Sequence, residues 1–134
     1  MQYLLDTDTC IDLLRGQRTV QGNASAATPD DCAVSTVTAY ELLTGVQKCR
    51  DPESEREKVE TFLGTLHELT FDRTAAERAG AIRADLEKRG LMIGPYDVML
   101  AGQAMAGSLV LVTSNIDEFS RVKKLRTADW RERH

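Results

Sequence analysis

The feature of this 134-residue chain that most constrains its fold is a series of short apolar runs separated by helical patterns. The clearest runs are residues 3–5, 32–34 and 109–112, and Leu69 and Phe71 bracket a weaker one. Each run is too short for a helix but long enough for a strand that is buried on both faces. Alternation of such runs with helices predicts an α/β fold with a mostly parallel sheet of four to five strands, covered by helices on both faces.

Helix signals fill the intervals between the apolar runs. Polar capping residues, prolines at first helical positions and glycines at helix ends mark the boundaries. The predicted helices run from Thr7 or Asp8 to about 14, from Ser35, Thr36 or Thr38 to beyond 46, from 53 to 66, from Asp72 or Thr74 to 88, and from 96 to about 105. In the second helix, a stripe predicted to face the core turns Glu41 away from it; its members are Val37, Tyr40, Leu43 or Leu42, and Val46.

Composition narrows the class of protein. With 42% apolar and 28% charged residues, the chain suits a single globular domain over residues 1–134. No apolar run approaches the ~18 residues of a membrane span, and the start lacks a signal peptide, so we expect a cytoplasmic protein without a membrane partner. Cys10, Cys32 and Cys49 are odd in number and widely spaced. They are predicted to be buried free thiols, not zinc ligands.

Charge is distributed unevenly along the chain. The formal net charge is -4, yet residues 120–134 carry six basic side chains. These are Arg121, Lys123, Lys124, Arg126, Arg131 and Arg133. A cationic tail on an acidic body predicts contact with nucleic-acid phosphates, with Lys123, Lys124 and Arg126 as the contact residues. A solvated terminal segment is an equally open interpretation.

Carboxylates recur where the predicted strands end. Asp6 follows the first run, Glu41 lies in the helix after the second, Asp97 begins the helix before the last run, and Asp117 and Glu118 follow that run. Parallel sheets bind ligands outside the carboxyl ends of their strands. Each carboxylate alone has an ordinary explanation as a cap or a solvated group. Together they favour a site for Mg²⁺ or Mn²⁺, of the kind that hydrolyses phosphodiesters.

Four ordered motifs carry a family resemblance. They are YLLDTDT at 3–9, STVTAYEL at 35–42, IGPYDVMLA at 93–101 and VTSN at 112–115. The pattern continues through residues 119–122 to 125–130. It resembles the VapC group of PIN-domain ribonuclease toxins over nearly the whole chain. The resemblance implies a PIN-like three-layer α/β/α domain that acts as a magnesium-dependent endoribonuclease, with Mn²⁺ as a substitute ion.

The resemblance also implies a set of site residues. Asp6 and Asp97 are the expected metal ligands, and Glu41 completes the acidic shell directly or through water. A fourth catalytic group follows the last core strand: Glu118 is favoured, Asn115 comes next, and Asp117 is the remaining acidic residue. Thr7 and Thr113 are expected to support the ligands through hydrogen bonds. The role of Asp8, where the family often has Asn, stays open.

Partners follow from the same resemblance. It implies the toxin half of a type II toxin-antitoxin pair, acting on tRNA or another structured RNA, with initiator tRNA among the candidates. It further implies a homodimer and a VapB-like antitoxin, whose C-terminal segment lies in a groove formed partly by the helices between Pro52 and Gly90. An Arg of that antitoxin is expected to enter the acidic site.

Two rival functions fit parts of the sequence. Residues 6–9 and 111–114 resemble the first two motifs of haloacid-dehalogenase-like phosphatases, but the later motifs are missing. A phosphoacceptor signalling domain would use Asp6 and Asp8 as metal ligands, Asp72 as acceptor, Thr113 as sensor and Lys123 as the paired cation. Asp72 also reads as a helix cap, and no convincing strand precedes Lys123.

Three aromatic residues have open roles. Tyr40 and Tyr96 adjoin Glu41 and Asp97, so stacking on an RNA base and burial in the core are both considered, with burial as the expectation. Trp130 is predicted to be a packing anchor near the end of the chain.

Overall fold

The computed structural model describes residues 1–24 and 27–132. Arg133, a member of the predicted basic tail, and His134 lie outside the described residues. The strands are β1 (Tyr3–Leu5), β2 (Cys32–Ser35), β3 (His67–Leu69), β4 (Val110–Val112) and β5 (Thr127–Ala128). They form one sheet in the order β3-β2-β1-β4-β5, and all four neighbouring pairs are parallel. The predicted α/β fold with a parallel sheet is therefore confirmed.

One strand differs from its predicted position. The third strand is His67–Leu69 and does not extend to Phe71. Its residues pair with Ala33 to Ser35 of β2, so the ladder ends at Leu69. The Phe71 amide donates instead to the Thr36 hydroxyl at 3.1 Å, which turns the chain away from the sheet.

The helices are α1 (Thr7–Leu14), α2 (Arg18–Ala24), α3 (Thr36–Lys48), α4 (Pro52–Leu63), α5 (Arg73–Arg89), α6 (Pro95–Ala106) and α7 (Ile116–Phe119). Ser35 caps α3 and Asp72 caps α5, and each is one of the predicted candidates. Asp6 caps α1, which corrects the prediction of Thr7 or Asp8. Helix α4 ends at Leu63, short of 66, because Thr65 and the next residue form i to i−3 hydrogen bonds that tighten the chain before β3.

Two apolar layers enclose the sheet. Leu4 and Leu111 point into a layer with α5 and α6, whereas Leu5 and Val112 point into the opposite layer with α1, α3 and α4. Trp130 is buried in the second layer, as predicted for an anchor, and its ring contacts Tyr3 edge-on at 5.5 Å. The side chains of alternate residues in each strand thus point into opposite layers, which produces the three-layer architecture.

Helices α5 and α6 approach each other closely at Gly102. A Cβ atom at this position would lie 2.6 Å from the Ala79 Cβ, so only glycine permits the observed packing. Cys10 and Cys32 are buried and Cys49 is half-buried, all as free thiols. None of the helices in residues 1–24 and 27–132 has the length and apolarity to cross a membrane.

Candidate active site

Asp6 lies at the carboxyl end of β1, where the chain turns into α1. Its amide donates to the Val112 carbonyl at 3.0 Å, and its Oδ1 accepts from the Thr9 amide at 2.8 Å, so the carboxylate is fixed between β1, β4 and α1. The side chain is only 5% exposed. Burial raises the pKa of Asp6, and hydrogen bonds with Thr113 and Thr9 oppose that rise.

Asp97 stands in the first turn of α6 and faces Asp6. Burial raises the pKa of Asp97 to about 7, and the negative charges of Glu118, Asp6 and Glu41 add to the rise. A hydrogen bond with the Glu118 side chain also raises the pKa of Asp97. Protonated Asp97 is the donor in this bond, so the bond favours the protonated form. Four carboxylates therefore influence one another at this edge of the sheet.

The backbone at Gly94 lets two of these carboxylates approach each other. The Gly94 amide donates to Glu118 Oε1 at 2.8 Å. A Cβ atom on Gly94 would lie 3.1 Å from Asp97 Oδ2 and 3.8 Å from Glu118 Oε1. The absent side chain thus leaves the space in which the two carboxyl groups meet.

A hydrogen bond from Thr7, in α1, fixes the side chain of Glu41. The Thr7 hydroxyl donates to Glu41 Oε1 at 2.8 Å and lies 3.1 Å from the Thr38 hydroxyl. Thr7 and Thr38 come from the helices that follow β1 and β2, so the pairing of these strands brings the three groups together. The carboxylate keeps a defined orientation without a basic partner in this contact.

These side chains surround one cavity of about 230 Å³. Its lining consists of Asp6, Thr7, Asp8, Glu41, Gly94, Pro95, Tyr96 and Asp97. Among the described residues that form this lining there are four carboxylates and no Lys or Arg. A cavity of this kind favours a cation over an anion.

The donor chemistry of the cavity fits Mg²⁺ or Mn²⁺. These ions prefer carboxylate and water oxygens, and four carboxylates line this cavity. Within the described residues, no three acidic, His or Cys side chains are arranged to hold an ion directly. Since Mg²⁺ usually keeps several waters and binds one or two carboxylates, Asp6, Asp97 and Glu41 are side chains of this cavity that could hold it.

The other acidic and amide residues of the prediction occupy different positions. Asp8 is exposed and lines the cavity. The Asn115 amide side chain donates to Glu118 Oε2, and its backbone amide donates to the Thr113 hydroxyl at 3.0 Å. Asn115 therefore orients Glu118 and connects it to Thr113. Asp117 is exposed and lies outside the cavity lining.

The structure does not bring the basic residues into the cavity. Arg126 donates to the Ser108 carbonyl at 2.7 Å, and Ser108 precedes β4, so this side chain lies at the edge of the sheet opposite the acidic residues. Lys123 Nζ is 4.0 Å from Asp85 Oδ1 on α5. Lys124, which has a φ of 67°, lies in the same turn before β5.

Tyr40 and Tyr96 lie at the surface and not in the core, where they were expected. Tyr40 and Tyr96 are 55% and 40% exposed, which contradicts their expected burial. Tyr40 therefore does not belong to the inward stripe on α3, whose members Val37 and Val46 are buried as predicted. Tyr96 also lines the acidic cavity. Their positions immediately before Glu41 and Asp97 were the available signal, since a residue next to one that faces a site is often near its rim.

Comparison with known proteins identifies the family. The family model described as "PIN domain" matches residues 3–125. The chain belongs to the PIN-domain family. It is 37% identical over 131 residues to the tRNA(fMet)-specific endonuclease VapC of Salmonella typhimurium, covering 97% of this chain and 98% of the relative. It is 33% identical to ribonuclease VapC2 of Rickettsia felis, with the same coverage of both chains.

Solved PIN-domain structures show the same architecture. The DNA-bound VapBC structure from Salmonella typhimurium matches with a TM-score of 0.92 and 37% identity, covering 97% of this chain and 98% of that one. VapBC-1 from nontypeable Haemophilus influenzae matches with a TM-score of 0.89 and 25% identity, covering 98% and 100%. The predicted membership in the VapC group of PIN-domain proteins is confirmed.

Neither rival function explains this PIN-domain site. Asp72 caps α5 by accepting from the Ala75 amide at 2.9 Å, and Lys123 faces Asp85, so the acceptor and cation of a signalling domain have other partners. A haloacid-dehalogenase mechanism leaves Glu41 and Asp97 without a role, although both line the cavity with Asp6.

Proposed function

We propose that this PIN-domain chain is a magnesium-dependent endoribonuclease that hydrolyses RNA phosphodiester bonds with a metal-activated water and serves as the toxin of a type II toxin-antitoxin pair. The observation that carries the proposal is the shared cavity of Asp6, Glu41 and Asp97, in which the pKa of Asp97 rises to about 7. Positive charge stabilises carboxylates that share one cavity, and hard oxygen donors favour Mg²⁺ or Mn²⁺.

Each residue has a role in this proposal. Asp6 and Asp97 would hold the ion, and Glu41 would hold a water bound to it. When bound, the ion supplies an acidified water and positive charge beside the phosphate. The Thr7 hydroxyl holds Glu41 by a hydrogen bond. The Thr113 side chain hydrogen-bonds to Asp6 and accepts a hydrogen bond from the Asn115 amide. Hydrogen bonds of this kind hold carboxylates in one orientation for metal binding.

Glu118 is the proposed fourth carboxylate of the site. The Gly94 amide and the Asn115 side chain hold its two oxygens, and its negative charge acts on Asp97. We assign Glu118 to the acidic shell beside Asp97, as a proton acceptor near the reacting phosphate. Asp117, which is exposed on the same short helix, has no assigned role in the site.

Transfer RNA is the proposed substrate class, with initiator tRNA as the first candidate. The support is the 37% identity to a relative named as a tRNA(fMet)-specific endonuclease, over 97% of this chain. Structured RNAs offer loops whose unpaired bases and phosphates are accessible to a cavity of this size.

We further propose a VapB-like antitoxin and a homodimeric toxin. Related solved structures are described as VapBC complexes. A second cavity, of about 590 Å³, is lined by α1, α3 and α4 and includes Ile11, Leu42, Val59 and Glu41. Its apolar walls suit a peptide segment, and its Glu41 end would let an Arg of that segment reach the acidic cavity. Helix α5 contributes no residue to this lining, unlike the predicted groove.

Cleavage of a labelled tRNA pool tests the proposal. The wild-type chain is expected to cut with Mg²⁺ or Mn²⁺ and to stop with EDTA. Asp6→Asn and Asp97→Asn should each reduce the cleavage rate by roughly 100-fold or more, because each removes a metal ligand. Glu41→Gln should reduce the cleavage rate by roughly 10- to 100-fold. Asp117→Asn is the matched control, because it removes an exposed carboxylate outside the cavity.

Circular dichroism of each variant establishes that the fold is retained. Full activity of either Asp6→Asn or Asp97→Asn would reject the proposed metal site. Equal loss in Asp117→Asn would show that general charge, and not the cavity, determines the rate.

A further inference from the structure

We propose that Tyr40 and Tyr96 form a platform on which an unpaired RNA base stacks beside the acidic cavity. The proposal rests on the ribonuclease function proposed above and assigns a specificity-determining contact to that site. The two tyrosines come from different helices, α3 and α6, and meet at the rim of the cavity.

The two rings form a defined pair. Their centroids are 5.6 Å apart and their planes meet at 68°, so the edge of one ring rests on the face of the other. The Tyr96 hydroxyl donates to the Tyr40 hydroxyl at 3.2 Å. These two contacts restrict rotation of the rings, which lowers the entropy lost when a planar group stacks on them.

The pair is exposed although its rings are large and apolar. Among the described residues, the exposed large hydrophobic side chains are Met1, Tyr40, Leu91, Met92 and Tyr96, and the aromatic ones are the two members of this pair. Core packing therefore does not account for them. Exposed aromatic surface beside a polar cavity is typical of a recognition site.

The chemistry around the pair selects a nucleobase. The cavity holds Asp6, Asp8, Glu41 and Asp97, and the chain has a net charge of -4, so phosphates are not attracted to this face by charge alone. Stacking does not depend on charge, and every base has a face on which it can occur.

The position of the pair connects base binding to cleavage. Tyr40 directly precedes Glu41, and Tyr96 directly precedes Asp97 and lines the cavity. A base on this platform would place its own or the adjoining phosphate next to the carboxylates. Because the contact is the same in the ground state and the transition state, its loss should raise KM and leave kcat nearly unchanged.

Steady-state cleavage of the tRNA pool compares Tyr40→Ala and Tyr96→Ala with Tyr40→Phe and Tyr96→Phe. The Ala variants should raise KM roughly 5- to 150-fold, the range measured for loss of one stacked base, with kcat within about threefold of wild type. The Phe variants keep the ring and should stay within about threefold of wild type in both constants. Leu91→Ala removes an exposed apolar side chain outside the cavity and should change neither constant.

A binding measurement separates the platform from catalysis. A single-stranded oligouridylate carrying one 2-aminopurine is titrated with Asp97→Asn protein, and stacking on the tyrosines should quench its fluorescence. Adding Tyr40→Ala or Tyr96→Ala to this background should abolish the quenching. Quenching that depends on the rings, without tRNA cleavage by the wild type, would support the platform and reject the ribonuclease proposal.

The opposite results would overturn the platform. Unchanged KM and unchanged quenching in both Ala variants, with a wild type that cleaves, would exclude base stacking and leave the ribonuclease proposal standing. If those variants instead changed only the molar mass measured by light scattering, the pair would be a contact with a second copy of the chain.

Discussion

Replacing Asp97 with Asn should stabilise the metal-free protein while abolishing its activity. The folded chain holds the Asp97 proton more tightly than the unfolded chain, because burial and the neighbouring carboxylates raise its pKa from 3.8 to about 7. Protonated Asp97 therefore contributes to the free energy of unfolding. This contribution is fully present below about pH 4 and is lost as the pH rises through about 7. Above that range, the ionised group destabilises the fold.

The magnitude follows from the size of the pKa difference. At 1.36 kcal/mol per pKa unit, a rise from 3.8 to about 7 corresponds to about 4 kcal/mol. Asp97 is half-buried, so solvent screens part of this interaction, and we take half, ~2 kcal/mol, as the expected gain for Asp97→Asn at pH 8. At pH 5 the wild-type group is mostly protonated when folded, and the gain should fall below ~1 kcal/mol.

Urea unfolding in EDTA at pH 8 and pH 5 measures this difference in the free energy of unfolding. Asp117→Asn is the control, since its carboxylate is exposed, and it should change stability by less than ~0.5 kcal/mol at either pH. Adding Mg²⁺ at pH 8 should stabilise the wild type more than Asp97→Asn, because the variant lacks one ligand.

Two results would refute the reasoning. A variant that is less stable than wild type at pH 8 would show that the Asp97 carboxylate contributes more in favourable contacts than it loses in repulsion. A gain of the same size at pH 5 and pH 8 would show that ionisation of Asp97 is not its cause.

Two further predictions concern packing and charge. Gly102→Ala should destabilise the fold by about 1 to 3 kcal/mol in thermal unfolding, since its Cβ would lie 2.6 Å from that of Ala79. Gly80→Ala is the control, because its Cβ would meet open space, and it should be neutral or stabilising. Equal effects of the two substitutions would contradict the packing argument. Replacing Lys123 and Lys124 together with Gln should reduce the slope of log affinity for RNA against log salt by roughly 1.4; an unchanged slope would exclude these contacts.

Part of the site was predictable because its signals are local. Asp6 directly follows a buried apolar run, and Asp97 stands in the first turn after Gly94 and Pro95. Such positions depend on strand and helix boundaries, which short sequence patterns indicate well. The parallel sheet then brings those boundaries to one edge, so the grouping of carboxylates followed from the fold class.

Other features depend on how distant elements pack. The exposure of Tyr40 could not be predicted from its helix, because its spacing matches the apolar stripe and the orientation of α3 decides which face is covered. Arg126 was grouped with the other basic residues by sequence, yet the pairing of β5 with β4 carries it to the opposite edge, where it donates to Ser108. Neighbouring positions in a sequence need not share a surface.

The sequence by itself determined the α/β class, most helix positions and which acidic residues follow strand ends, because short runs, capping residues and strand ends are properties of neighbouring positions. Only the tertiary structure decided the end of β3 at Leu69, the pKa of Asp97 and the pairing of Tyr40 with Tyr96. Each of these depends on distances between groups far apart in the chain, which are fixed when the sheet and its helices pack together.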